Sequence, residues 1–144
     1  MQDVSLNEGL KFENFLKLNK IWNEYITTLL SKDDPTNPAH AGSICSKLVK
    51  AELSGAYVTV HDSKNPTMIG VSGIVARESV RCLFVINSNN EVKNLIKAGS
   101  VFEVRLPQAS HGGYGVRIWG DNIVYLGSER TKVRFKEKFN LDLY

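Results

Sequence analysis

Five basic side chains, Arg130, Lys132, Arg134, Lys136 and Lys138, stand at alternate positions near the end of the chain, with only Glu129 and Glu137 among them. Groups of this type at this density neutralise phosphates, and Lys and Arg contacts of that kind supply most of the affinity of a protein for nucleic acid. A helix over Ser128 to about Phe139 would place Arg130, Arg134 and Lys138 on one face at four-residue steps, apart from Lys132 and Lys136. Other cations are spread along the chain. Lys64, Arg77, Arg81, Lys93 and Lys97 fall at strand ends or loops, and Arg105 and Arg117 alternate with apolar neighbours so as to face outward. Lys64 and Asn65 precede Pro66, whose fixed φ holds their donors in place at low entropic cost. Taken singly, each charge is more often an ordinary solubilising one, and on charge alone the Arg130 to Lys138 cluster divides evenly between that reading and a nucleic-acid contact. Net charge is +3, from 18 Lys and Arg against 15 Asp and Glu, and the pI is near 8.9. That balance is compatible with a polyanionic partner and too mild to prove one.

Covalent and metal chemistry lack their residues. No GxSxG elbow, Walker loop, HExxH or dinucleotide fingerprint occurs. His40, His61 and His111 form no close ligand pair with Cys45 or Cys82, and no CxxC or HxxxH spacing is present. Gly112-Gly113-Tyr114-Gly115 lies between strands instead of opening a helix, so it is weakly suited to cradle a phosphate. Asp33-Asp34 reads as a solvated turn. The expectation is a protein with no catalytic activity of its own, no cofactor and no metal. Two distant cysteines, one inside an apolar run, suggest reduced thiols and not a disulfide scaffold. Met1 to Gly9 shows no signal-peptide pattern and no apolar run is long enough to span a bilayer, so an intracellular, soluble protein is expected.

The elements that must carry these groups follow from periodicity. From Leu10 to Leu30, Phe12, Phe15, Leu16, Leu18, Trp22, Tyr25, Ile26, Leu29 and Leu30 recur at three- and four-residue steps, the mark of an amphipathic helix. Its stripe is wide and aromatic. Self-docking is the default reading, and docking on another protein through Trp22, Tyr25, Ile26 and Leu29 is the rival. Ser31 to Ser43, with Pro35 and Pro38, is a linker, and a short helical turn follows over Ile44 to Leu53. After Gly55 the period switches to two. Strands are expected at Ala56–His61, Met68–Glu78, Arg81–Asn87, Glu91–Ile96, Val101–Leu106, Tyr114–Trp119 and Asn122–Leu126. Short strands at even spacing with Gly and Asn turns predict a mainly β protein, a small Sm-like or SH3-like antiparallel barrel. Its core would hold Val58, Val60, Ile74, Leu83, Val85, Phe102 and Val104, with Phe84 also core-like and Gly70 and Gly73 letting a strand bend. An N-terminal amphipathic helix and a C-terminal basic helix flank it. The division is 1–43 for helix and linker and 44–144 for barrel and C-terminal helix.

Lys50-Ala51-Glu52-Leu53-Ser54-Gly55-Ala56, followed by Ser63-Lys64-Asn65-Pro66-Thr67-Met68-Ile69-Gly70-Val71-Ser72-Gly73-Ile74-Val75, is similar to the KADLxGA…SKNPSxVGxxGIV signature of a known family, the Sm-like protein subunit shared by ribonuclease P and ribonuclease MRP (the Pop-four family). Arg77-Glu78-Ser79, Val101-Phe102 and Gly127-Ser128-Glu129-Arg130 with Arg134-Phe135-Lys136 continue the match. Leu18 to Ile26 is similar to the LWxxY helix of eukaryotic members. The resemblance runs from about Leu18 to the end. Ile96 stands where the family has proline, and Leu126 where it has arginine, so no basic role passes to position 126.

The resemblance implies an Sm-like barrel that binds the catalytic RNA and pairs with other protein subunits, including a zinc-ribbon subunit. The particle trims precursor tRNA, contacted by this chain only indirectly, and in its MRP form processes rRNA. It implies a nuclear and nucleolar location, no membrane, and chemistry carried by RNA. The candidate RNA-binding residues are Lys64, Asn65, Arg77, Arg81, Lys97, Arg130, Lys132, Arg134, Lys136 and Lys138. Three alternatives stand beside this reading: an SH3-like module docking proteins through its aromatic helix, a ring-forming Sm protein crowded by its flanking helices, and an independent nuclease.

Overall fold

The computed structural model describes residues 11–34, 37–107, 114–124 and 139–143. Helix α1, Phe12–Leu29, contains neither Gly nor Pro and turns Trp22 and Ile26 inward. It has no side-chain cap from its own sequence. Instead the Phe12 N–H donates to Asn90 Oδ1 at 2.7 Å, so a turn far along the chain satisfies one of the orphan donors at the helix start. At the other end the hydroxyls of Thr27 and Thr28 donate to the carbonyls of Asn23 and Glu24, and the helix ends at the next residue, Leu29.

The linker is tied at several points. Lys47 Nζ donates to Asp33 Oδ2 at 2.7 Å and holds that carboxyl below the usual range. The Asp34 N–H donates to His40 Nδ1, also at 2.7 Å. Asn37 Oδ1 caps the 3-10 turn Pro38–His40 through the Ala39 N–H. Helix α2, Ala41–Lys50, then buries Ile44, Cys45, Leu48 and Val49, with Lys47 and Lys50 in its last turn, where the helix dipole favours cations.

Among the described residues seven strands follow: β1 Tyr57–Ser63, β2 Ser72–Glu78, β3 Cys82–Ile86, β4 Val92–Ile96, β5 Ser100–Leu106, β6 Tyr114–Trp119 and β7 Phe139–Leu143. They form one sheet in the order β4-β3-β2-β1-β5-β6-β7. Every adjacent pair is antiparallel. The protein is therefore mainly β, as expected. The sheet is curled. Strands β4 and β5 lie four steps apart in the ladder, roughly 19 Å across a flat sheet. The connection Lys97–Gly99 spans no more than about 14 Å when extended. The ladder must bend for the connection to reach, and register shifts at 60–62 in β1 and 75–77 in β2 supply bulges where it can. Among the described residues no pairing joins the edge strands β4 and β7, so the sheet is open where sequence spacing suggested a closed barrel.

Alternation along the strands sets the core. Val58, Val60, Leu83, Val85, Phe102 and Val104 are buried together with Trp22, Ile26 and Leu30 of the N-terminal segment and the inward face of α2. Ile74 is fully buried too, but it pairs with Ile86 across β2 and β3, and both lie outside that cluster. Gly73 is required by a close approach, because a Cβ there would meet the Ile86 carbonyl oxygen at 2.3 Å.

Three expected elements differ. The strand expected from Met68 begins at Ser72, because Asn65 and Pro66 set a 3-10 turn over Pro66–Met68, and Gly70 sits at φ 87 in the connection. The strand expected from Asn122 is a 3-10 turn over Gly120–Ile123 that buries Asn122 and Ile123. The basic helix from Ser128 lies outside the described residues, but at Phe139 the chain is already in β7, pairing with β6 where no strand was expected. No helix among the described residues is long and apolar enough to cross a membrane.

Candidate nucleic-acid interface

The β4–β5 connection is a hub. The Lys97 N–H donates to the Arg81 carbonyl at 2.8 Å, and the Lys64 N–H donates to the Gly99 carbonyl at 3.1 Å. The Gly99 N–H donates to Asp121 Oδ1 at 3.1 Å, and Ser63 and Ser100 share a hydroxyl–hydroxyl bond at 3.1 Å. Gly99 has φ 75, and the stem of Lys64 passes so close that an added Cβ would lie 2.9 Å from Lys64 Cδ. Four separate loops are thus stitched together. Exposed Lys64, Asn65 and Arg81 arrive at one end of the sheet although they are distant in sequence.

Asn65 is held firmly. Its Oδ1 accepts from the Thr67 N–H and from the Thr67 hydroxyl, the latter at 2.7 Å, while its own N–H donates to Ser63 Oγ. The side-chain amide NH2 of Asn65 remains as the group that can donate outward.

Lys97 is the correction to the expected set. It is fully buried, and its Nζ donates to Glu78 Oε2 at 2.8 Å, with side-chain exposures of 0% and 3%. Leu95 and Lys97 are two residues apart and so point to the same side, and Leu95 is core. That parity was readable in the sequence; the charge of Lys97 obscured it. Gly120 packs on its backbone so closely that a Cβ would sit 1.7 Å from the Lys97 carbonyl oxygen. Lys97 is an internal strut at the hub and does not reach a phosphate outside.

Among the described residues, the outer face of the sheet carries two arginine stacks. Arg77 on β2 lies over the ring of Phe84 on β3, with 4.4 Å from guanidinium carbon to ring centroid. Arg105 on β5 lies over Tyr57 on β1 at 4.6 Å. Phe84, expected in the core, is half-buried and opposite Arg77 in the register. Alternation with Leu83 and Val85, both inward, was the signal. Beside the second stack, Arg117 Nε and Glu103 Oε1 are 3.6 Å apart and partly offset each other. Arg130, Lys132, Arg134, Lys136 and Lys138 lie outside the described residues.

Of the four helix residues expected to hold a partner, Trp22 and Ile26 belong to the protein's own core. Trp22 Nε1 donates to the Glu52 carbonyl at 2.7 Å. Leu29 is half-buried against the core. Tyr25 is 42% exposed and Ile21, absent from the expected set, 61%. They line a groove of about 330 Å³ with Leu18, Trp22, Glu52 and Ser54. The stripe is wider than the sheet can cover, so its margin stays outside.

Chemically, the site offers cationic and amide donors to acceptor oxygens. Among the described residues no group of three or more His, Cys, Asp and Glu could hold a metal ion. The described thiols are Cys82, half-buried, and Cys45, whose burial pushes its pKa up to about 12.

The family model described as "Ribonuclease P/MRP, subunit p29" matches residues 46–133. "Ribonuclease P protein subunit p29" of Bos taurus is 34% identical over 137 residues, covering 94% of this chain and 59% of that protein. "Probable ribonuclease P protein subunit 1" of Schizosaccharomyces pombe is 30% identical over 134 residues, covering 92% and 58%. "RNases MRP/P 32.9 kDa subunit" of Saccharomyces cerevisiae is 30% identical over 134 residues, covering 89% and 48%. The chain spans three-fifths or less of the length of these relatives.

Proposed function

The chain belongs to the ribonuclease P/MRP p29 subunit family, and from that premise we propose that it is a non-catalytic, RNA-binding subunit of a ribonuclease P/MRP ribonucleoprotein. In this reading it supports 5′ processing of precursor tRNA, and rRNA processing in the MRP particle, from the nucleus and nucleolus. The curled, open sheet acts as an Sm-like platform, and the particle's RNA supplies the catalysis.

The observation that carries the reading is the convergence of Lys64, Asn65 and Arg81 on the hydrogen-bonded β4–β5 hub. Donors on a rigid support bind a phosphate backbone with little ordering cost. The Arg130 to Lys138 segment extends this cationic set in sequence, and Arg130, Arg134 and Lys138 are its proposed contacts. A second, protein-facing role rests on the exposed Ile21 and Tyr25 beside their groove. Another protein subunit of the particle, a zinc-ribbon subunit, is the proposed occupant.

Affinity purification of the tagged chain from its own cells tests the proposal. Sequencing of the bound RNA should return ribonuclease P or MRP RNA, and the eluate should cleave precursor tRNA until micrococcal nuclease destroys its RNA. Cleavage by the purified chain without RNA, or an eluate free of both RNAs, would overturn it.

A further inference from the structure

Both arginine stacks share one construction: a strand-borne arginine laid over an aromatic ring on the neighbouring strand, on the outer face of the sheet. Such a contact uses the flat face of the guanidinium and leaves its N–H edge directed along the plane. The ring also restricts a side chain that would otherwise sample many rotamers, so less entropy is lost when an acceptor arrives. Exposed Arg77, with 4.4 Å to the Phe84 centroid, is the clearer case. Its position is fixed twice, by the Arg77–Phe84 pairing in the ladder and by the bulge that immediately precedes it in β2.

Resting on the RNA-binding reading above, we propose that Arg77 is a preset clamp for an RNA phosphate and that Phe84 is its positioning residue. The planar fork matches two phosphate oxygens at once, which a lysine cannot do. The ligand is the RNA backbone and not a base edge, because the stack offers donors without any fixed surface that would distinguish bases. Arg105 over Tyr57 repeats the construction two strands away.

The test measures affinity of the whole chain for transcribed ribonuclease P RNA from the same organism across a salt series, for wild type, Arg77→Ala, Arg77→Lys and Phe84→Leu. Removing the charge should lower the magnitude of the salt slope by about 0.7 to 0.9, one phosphate's share. Phe84→Leu should leave the slope unchanged and weaken binding about two- to five-fold at every salt concentration. Arg77→Lys should behave like Phe84→Leu, keeping the charge and losing the fork, which guards against a folding defect in the Phe84 variant. Unchanged affinity in both Phe84→Leu and Arg77→Lys would overturn the clamp while leaving the RNA-binding reading in place. An Arg77→Ala slope equal to that of wild type would do the same. Wild type that binds this RNA without salt dependence would instead sink the RNA-binding reading itself.

Discussion

Replacing Lys97 by Met separates two roles that a cation in this family could have. Its ammonium and the Glu78 carboxylate are 2.8 Å apart, with 0% and 3% of their side chains exposed. Taking both ions out of water is costly, and their mutual attraction offsets that cost only while both are present. Removing the ammonium alone leaves a buried carboxylate without this partner, a loss of about 3–5 kcal/mol. For a chain of 144 residues this lowers Tm by roughly 10–15 °C, at about 3 °C per kcal/mol. The double variant Glu78→Leu with Lys97→Met removes both charges and should recover most of the loss, ending within about 1–2 kcal/mol of wild type. Urea unfolding monitored by Trp fluorescence and circular dichroism gives these values. Measured below the melting transition, Lys97→Met should bind RNA with the wild-type salt slope, because the ammonium faces inward. A single-variant loss under about 1 kcal/mol, or a double variant as unstable as the single, would refute the strut. A slope lowered by about 0.7 or more would return Lys97 to the RNA surface.

Phe102→Ala empties a fully buried site opposite Val60 and should cost about 3–5 kcal/mol in the same unfolding assay; a loss below 1 kcal/mol would place Phe102 outside the core. Two glycines make a contrasting pair. Gly120→Ala drives a Cβ into the Lys97 carbonyl oxygen and should destabilise by about 3 kcal/mol or more. Gly70→Ala has nothing within 4 Å of its Cβ and only a φ of 87 to contend with, so about 1–2 kcal/mol is expected. Cys45, with its pKa pushed up to about 12 by burial, binds its proton more tightly folded than unfolded. Its contribution is therefore complete below the unfolded value of about 8.5 and falls as pH rises above it, by up to about 1.4 kcal/mol per unit. Cys45→Ala should flatten that alkaline loss between about pH 8.5 and 10, and an identical decline in both proteins would contradict the assignment.

Much of the architecture was legible because period carries it. The helix over Phe12–Leu29 and the strands through Trp119 follow from apolar spacing, and Asn65-Pro66 and Asn89-Asn90 mark real turns. What escaped was set by partners distant in sequence. Asn90 caps α1 from the far side of the chain, and β7 exists as an edge because β6 pairs with it. Residue type misled where it conflicted with parity. Charge puts Lys97 outside and its ring puts Phe84 inside, yet alternation with Leu95 and with Leu83 and Val85 gives the observed sides. On the helix the apolar periodicity correctly included Trp22 and Ile26 but could not say which part of a wide stripe the core would cover. Proximity of Lys64 to Arg81 was invisible, since it depends on the curl that brings β4 to β5.

The central claim is that the hub of Lys64, Asn65 and Arg81 is part of an RNA-binding surface, and a salt titration tests it most directly. Binding of the purified chain to transcribed ribonuclease P RNA would be followed by fluorescence anisotropy across a range of salt concentrations. Log affinity should fall linearly with log salt at a slope of magnitude about 3 or greater, as several phosphate contacts require. In Lys64→Ala with Arg81→Ala the magnitude should drop by about 1.4 to 1.8, two phosphates' share, with the melting temperature unchanged. A wild-type slope near zero, or a double variant indistinguishable from wild type, would contradict the account.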